Sequence, residues 1–154
     1  MAKLFRVEPT AAHIDHVARN MREIDRYEIF AAHGDTPWPA LKFAVSRSKM
    51  VWAIVTDTGE PLALIGASSR PWGEGAFGWM LGTDKISEYP LAFARITKKC
   101  VEELAKEYGV LTNRVAPENT TTLKWLKWVG ATFFPEQPYG LLQKPFIKFE
   151  VKHV

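Results

Sequence analysis

The stretch Met50-Val51-Trp52-Ala53-Ile54-Val55-Thr56, Asp57-Thr58-Gly59-Glu60-Pro61, Leu62-Ala63-Leu64-Ile65-Gly66-Ala67 sets two apolar runs on either side of a Gly- and Pro-bearing break. Each run is too short for a typical helix and is rich in β-formers, so the pair reads as an antiparallel hairpin. A third run, Ala76-Phe77-Gly78-Trp79-Met80-Leu81, follows the loop Arg70-Pro71-Trp72-Gly73-Glu74-Gly75. Together the three predict the centre of a sheet.

Toward the N-terminus, Leu4 to Val7 alternates apolar and polar and stops at Glu8-Pro9-Thr10, a short strand followed by a capping residue. From Ala11 to Ala32, Ile14, Val17, Met21, Ile24, Tyr27 or Glu28, and Ala31 recur at helical spacing, in one helix or two. Gly34, Pro37 and Pro39 interrupt the pattern, and Leu41, Ala44 and Val45 offer one or two more helical turns. Toward the C-terminus the spacing predicts a long helix from Pro90 to Tyr108, with proline where its missing N–H has no partner and Gly109 at the stop. Its apolar face is Phe93, Ile96, Cys100, Leu104 and Tyr108. A strand over Leu111–Val115, a short helix over Thr121–Val129 capped by Asn119 or Thr120, and strands at Thr132–Phe134 and Phe146–Val151 follow, the last two joined by a loop from Pro135 to Pro145.

At 154 residues and 47% hydrophobic content the chain reads as one domain over 1–154, with enough apolar mass to close a core without disulfides. Cys100 is the single cysteine, which fits a reducing compartment, and on the apolar helix face it reads as a small hydrophobe. No signal peptide is visible and no run is long enough to span a bilayer, so the expectation is a cytoplasmic protein without a membrane partner. Residues 1–77 carry nine basic and nine acidic side chains and residues 78–154 carry eleven and eight, so the net charge of +3 lies in the second half. Lys and Glu alternate there, which argues against nucleic acid as a partner.

The order of elements, with the segment Asn119-Thr120-Thr121-Thr122-Leu123-Lys124-Trp125-Leu126-Lys127-Trp128-Val129-Gly130-Ala131-Thr132-Phe133, resembles the GNAT N-acetyltransferase family. Gly78-Trp79-Met80-Leu81, Thr83-Asp84 and the basic long helix also look like the short acyltransferase-like or internal virion proteins of T7-like short-tailed phages. The resemblance implies an α/β (α+β) fold, a mixed and mostly antiparallel central sheet of about six to seven strands flanked by about four helices. It implies transfer of an acetyl group from acetyl-CoA to an amine on a small molecule or protein. The alternative is a non-catalytic phage protein acting in virion assembly or on a host protein, and so virion-associated or in the host cytoplasm.

The family resemblance also implies that the fourth and fifth strands part to admit the pantetheine arm, and that the diphosphate rests on amides at the start of the long helix. Met80, Leu81, Gly82, Lys85, Ser87 and Asn119 are the cofactor-binding candidates on this basis. The stretch from Gly82 to Pro90 lacks the family's Arg/Gln-x-x-Gly-x-Gly/Ala loop, and Asp84 and Glu88 would repel phosphate. Where many members carry a tyrosine seven residues after the asparagine, this chain has Leu126, leaving Tyr108 and Tyr139 as substitutes. Asp84, Glu118 and Glu74 are the carboxylates considered for a general base. His13 and His16, at i,i+3, do not make a metal site, and no metal is expected.

The six tryptophans divide by context. Trp52 and Trp79 fall in strand runs, and Trp38 and Trp72 in proline-bearing loops. Trp125 and Trp128 share a face of the short helix with Lys124 and Lys127, to cover the core, a protein partner or bases.

Overall fold

The computed structural model describes residues 3–153. The elements run β1 (Leu4–Val7), α1 (Ala11–Arg19), α2 (Glu23–His33), α3 (Pro37–Ser46), β2 (Ser48–Thr56), β3 (Pro61–Ser69), β4 (Ala76–Gly82), α4 (Pro90–Tyr108), β5 (Val110–Val115), α5 (Thr120–Trp128), β6 (Thr132–Phe133), β7 (Gln137–Tyr139) and β8 (Lys144–Lys152). A 3₁₀ helix, Asp84–Glu88, lies between β4 and α4. The strands form one sheet in the order β1-β2-β3-β4-β5-β8-β6, with β7 also paired to β8. Every pairing is antiparallel except β4 with β5.

Residues 50–67 form the hairpin β2–β3, with Trp52 opposite Ile65 and Ala53 opposite Leu64. Both faces of this hairpin are covered, which is why its sequence is continuously apolar and not alternating. Ile54, Ala63, Ile65 and Ala67 pack under α4 against Cys100, Val101 and Leu104. Ala53, Val55 and Leu64 turn the other way, toward Val17, Met21 and Leu41 of the α1–α3 layer. Burial of a side chain such as Ile54 or Leu64 contributes roughly 1.5–3 kcal/mol. Among the described residues no helix is long and apolar enough to cross a membrane.

Local signals place most boundaries. Thr10 caps α1 in a reciprocal pair with His13, whose ring accepts the Thr10 N–H. Gly34 and Gly109 end α2 and α4 with positive φ, a conformation in which a side chain is strained. Three features depart from the sequence expectation, and a fourth, the break between α1 and α2, settles the choice it left open between one helix and two. The first helical pattern breaks at Asn20–Arg22 because Met21 bridges Thr83 and the Arg22 N–H bonds the Gly82 carbonyl, so the chain joins the end of β4 there. Pro37 begins α3 instead of lying in a proline-bearing loop, so Trp38 sits in a helical first turn. The stretch expected as a loop from Pro135 to Pro145 contributes β7, raising the strand count to eight, and α3 raises the helices to five. The stretch after Gly82 coils into the 3₁₀ helix.

Candidate active site

The parallel pair β4–β5 is short. It registers Ala76 with Leu111 and Phe77 with Thr112, and then the strands separate. On the rung that an unbroken ladder would close next, the Asn113 carboxamide stands between the strands. Its Nδ2 donates to the Gly78 carbonyl at 2.8 Å and its Oδ1 accepts the Arg114 N–H at 2.8 Å. One side chain thus takes the place of a missing backbone hydrogen bond and marks the fork.

Beyond the fork, helix α2 closes the far end of both strands. The Asp25 carboxylate accepts the Gly82 N–H of β4 at 2.9 Å. One turn along, Glu28 accepts the Ala116 N–H just past β5 at 2.7 Å and the Asn119 Nδ2 at 3.2 Å. Strand alternation turns the N–H and C=O of Met80 to the same edge as those of Gly78 and Gly82. Met80 therefore presents its backbone groups to the gap between the two clamped ends. The gap opens into a cavity of about 500 Å³, walled by Asp25, Glu28 and Ile29 of α2, Phe77 to Leu81 of β4, Asn113 to Val115 of β5, and Asn119, Thr122, Trp125 and Leu126 of α5.

The two clamping carboxylates differ in partners. Arg22 donates to both oxygens of Asp25, at 2.9 and 3.0 Å, and both side chains are largely buried. Burial pushes the Asp25 carboxyl above its ordinary range, and the Arg22 guanidinium pulls it back. Among the described residues no cation bonds Glu28, and Arg22 acts on it only through space. Burial pushes it up to about 7, the nearby Asp25 adds to the rise, and the Ala116 and Asn119 donors only partly oppose it. A carboxyl held near neutrality and facing a cavity has the chemistry of a general base.

The structure spreads the sequence candidates around this cavity. Met80, Leu81 and Asn119 line it; Asn119 also caps α5, its Oδ1 accepting the Thr122 N–H. Gly82 closes its end, with its N–H taken by Asp25 and its C=O by Arg22. Lys85 lies in the 3₁₀ helix and pairs with Glu60, while the Ser87 hydroxyl bonds the Asp84 carbonyl. Asp84 starts that helix, Glu118 sits on the turn before α5, and Glu74 lies in the β3–β4 loop; all three are exposed and none lines the cavity. Tyr139 lines the cavity beneath the Arg114 guanidinium, and Tyr108 lies at the end of α4. Trp72 is 85% exposed, Trp38 stacks with Lys42, and Trp128 with Lys98, whereas Trp125 turns inward.

Sequence reasoning passed over Asp25 and Glu28 as chemistry. One signal was present: Glu28 occupies a position on the otherwise apolar stripe through Met21, Ile24 and Ala31. A carboxylate on a buried face is the observation that carries information.

No family model and no curated protein sequence matches the chain. Solved structures do. The spermidine N-acetyltransferase of Vibrio cholerae, in complex with CoA and spermine, superposes with a TM-score of 0.71 at 8% identity over 98% of this chain and 96% of that one. A GNAT-family acetyltransferase from Bacillus anthracis gives 0.71 at 9% identity over 99% and 98%. The ribosomal-protein-S18-alanine N-acetyltransferase of Escherichia coli gives 0.67 at 14% over 99% and 94%. With its mostly antiparallel sheet, its parallel β4–β5 pair and its helices on both faces, the chain has the fold of the GNAT acetyltransferases.

Proposed function

We propose that this protein is an N-acyltransferase that moves an acyl group, acetyl in the simplest case, from a CoA thioester to an amine, with Glu28 as the general base. The observation that carries the reading is the opening between β4 and β5, with a buried carboxyl of pKa about 7 at its closed end. The neighbours named for spermidine and for a ribosomal-protein alanine act on amines, which supports the same class of acceptor here.

The arm of a CoA thioester fits the residues present. The Met80 backbone faces the gap as an unpaired strand edge, able to pair with the amides of an extended arm. The cavity has the volume of a small-ligand site. The diphosphate end fits less well. Gly82 has spent its N–H on Asp25, Pro90 has none, and Asp84 and Glu88 are close by in sequence. That leaves the first-turn amides of Leu91 and Ala92 at the start of α4 for an anion. When bound, the thioester supplies an activated acyl carbon beside the gap.

The chain's own contribution is proton management and orientation. With the thioester held there, the amine nitrogen would bond to the acyl carbon as the carbon–sulfur bond breaks and its electron pair leaves on sulfur. The proton released by the amine passes to a Glu28 oxygen. Ala116 and Asn119 hold that carboxylate in place. Leu126 offers no acid, so the thiolate would take its proton from solvent or from Tyr139, the substitute tyrosine that lines the cavity, and Glu28 would return the amine proton to solvent. The family candidates Asp84, Glu118 and Glu74 serve in this reading as solvated side chains.

The test is calorimetric titration with acetyl-CoA followed by transfer assays on a panel of polyamines and N-terminal peptides. Saturable binding and acetylated product support the reading, and no heat at millimolar CoA would overturn it. A second reading, a binding protein in a virion or on a host protein, draws on the exposed aromatics Trp38, Phe43 and Trp72. That reading expects no transfer and no CoA binding.

A further inference from the structure

Arg114 follows the fork residue Asn113 on β5, lines the cavity, and holds its guanidinium over the Tyr139 ring, 4.0 Å from the centroid. Strand alternation turns Arg114 and Ala116 to one face of the sheet, where Ala116 packs with Ala31 of α2 and with Tyr139. Glu28 bonds the Ala116 N–H, so the guanidinium and the carboxyl share one side of the cavity. Stacking occupies the flat face of a guanidinium and leaves the N–H groups along its edge for a planar anion. Among the described residues no ion pair includes Arg114, and its one hydrogen bond is made by its backbone N–H. The guanidinium is only half-buried, and its nitrogens are not among the buried atoms that lack a partner, so the unused edge is accessible.

The surrounding charges do not compensate it. Directly across the ladder Arg114 faces Lys148, and like charges so placed cost stability. A second guanidinium without an ion pair, Arg47 at the end of α3, lines the same cavity and stacks on Phe43. Of the carboxyls that line it, Asp25 is matched by Arg22 and Glu28 is held near neutrality, which leaves Asp35 against two cations.

We propose that the acceptor amine carries an oxyanion at its other end, a carboxylate or a phosphoryl group, bound by the edge of the Arg114 guanidinium, with Arg47 adding to the attraction. This rests on the acyl-transfer reading given above and narrows its acceptor. Arg114 touches the far end of the substrate and sets specificity, while Glu28 serves the amine. A polyamine is the wrong class, because it sets a second ammonium against both arginines.

Matched alkylamines of several lengths isolate the far end, which is a carboxylate, a phosphonate or a second ammonium. Their binding is measured by calorimetry, with and without saturating CoA, on the wild type, Arg114→Gln, Arg114→Lys and Lys98→Gln, alongside urea denaturation of each without ligand. The wild type should bind the anionic amines at least about tenfold more tightly than the diamines, and the better of the two anions identifies the oxyanion. Arg114→Gln should lose about ten- to hundredfold for the anionic amines and nothing for the diamines. Arg114→Lys should recover part of that loss, since the charge returns without the planar fork. Lys98→Gln removes a cation that stacks on Trp128 outside the cavity and should bind like the wild type. The unliganded stability of Arg114→Gln should equal or exceed that of the wild type, since a like-charge pair is gone.

Diamines bound as tightly as the anionic amines would overturn the inference and leave acyl transfer standing. So would equal losses of both classes in Arg114→Gln, or a wild type that binds none of the amines. If Arg114→Gln does not fold, the wild-type preference and a loss in Arg114→Lys confined to the anionic amines decide the matter. No heat from acetyl-CoA would overturn the acyl-transfer reading and the acceptor role with it, whereas the amines on the free protein then report on the Arg114 site alone.

Discussion

Asp25 and Glu28 stand one turn apart on α2, and each accepts a backbone N–H at the end of one of the two parted strands, Gly82 in β4 and Ala116 just past β5, yet they have different surroundings. Asp25 is matched by a two-pronged guanidinium, whereas Glu28 has only neutral donors. A paired charge inside a protein is a fastener: it costs about as much to bury as it returns, and is dear to break. An unpaired carboxyl in the same place carries its desolvation as a raised pKa, which is the property a base needs. The comparison teaches that two like residues on one helix can divide structure from chemistry by one cation.

Breaking the fastener should have the largest effect. Asp25→Ala leaves Arg22 charged and largely buried and frees the Gly82 N–H, and urea denaturation should show a loss of about 3–5 kcal/mol. Stability of the variant within 1 kcal/mol of wild type would mean that α2 does not hold β4 through this pair.

Glu28→Gln should do the opposite to stability while removing the chemistry. With a folded pKa of about 7 against 4.5, the folded state binds the extra proton, so wild-type stability falls as pH rises between those values. Above pH 7 the penalty is complete, about 3 kcal/mol, and below pH 4.5 it is gone. The Gln variant should therefore be the more stable at pH 8, by up to that amount, with the advantage vanishing in acid. In the transfer assay the wild-type rate should climb through pH 7, and Glu28→Gln should lose the climb and roughly 10²–10⁴ in rate. A flat wild-type profile would remove Glu28 from the chemistry.

Gly82→Ala sharpens the comparison from the strand's side. A Cβ there would lie 2.5 Å from Ile86 Cδ1, 3.3 Å from Ala63 Cβ and 3.4 Å from the Leu62 carbonyl. Ile86 can swing at its tip, but the other two contacts belong to β3, so a cost of about 1–3 kcal/mol is expected in denaturation. The smallest effects should come from the exposed carboxylates. Asp84→Asn and Glu118→Gln should change stability by no more than about 0.5 kcal/mol and leave the pH profile in place.

The sheet was legible because its signals are local. The apolar runs of β2 and β3, the Pro90 and Gly109 limits of α4, and the Asn119 cap of α5 each depend on neighbours within a few positions, and each stands where the sequence puts it. Misreadings arose where a local breaker was absorbed by its context. Pro37 and Pro39 fall within the first turn of α3, where no N–H is needed. The choice between one helix and two, open in the sequence, falls to two because Thr83, far along the chain, offers Met21 a bridge. Met80 and Asn119, named through the family resemblance, line the cavity, whereas Glu28 was visible only as a position on a helical face.

By itself the sequence determined the kinds of element and their order, since hydrophobic period, caps and turn residues act over a few bonds. It determined too that residues 50–67 would form a hairpin at the centre of the sheet, because two short β-rich runs flank a turn. The tertiary structure alone decided which carboxyl would be held near neutrality. Glu28 meets Ala116 from 88 residues away, Asp25 meets Gly82 from 57, and Asn113 meets Gly78 from 35. Desolvation and pairing are set by what surrounds a group in space, and no local pattern carries that information.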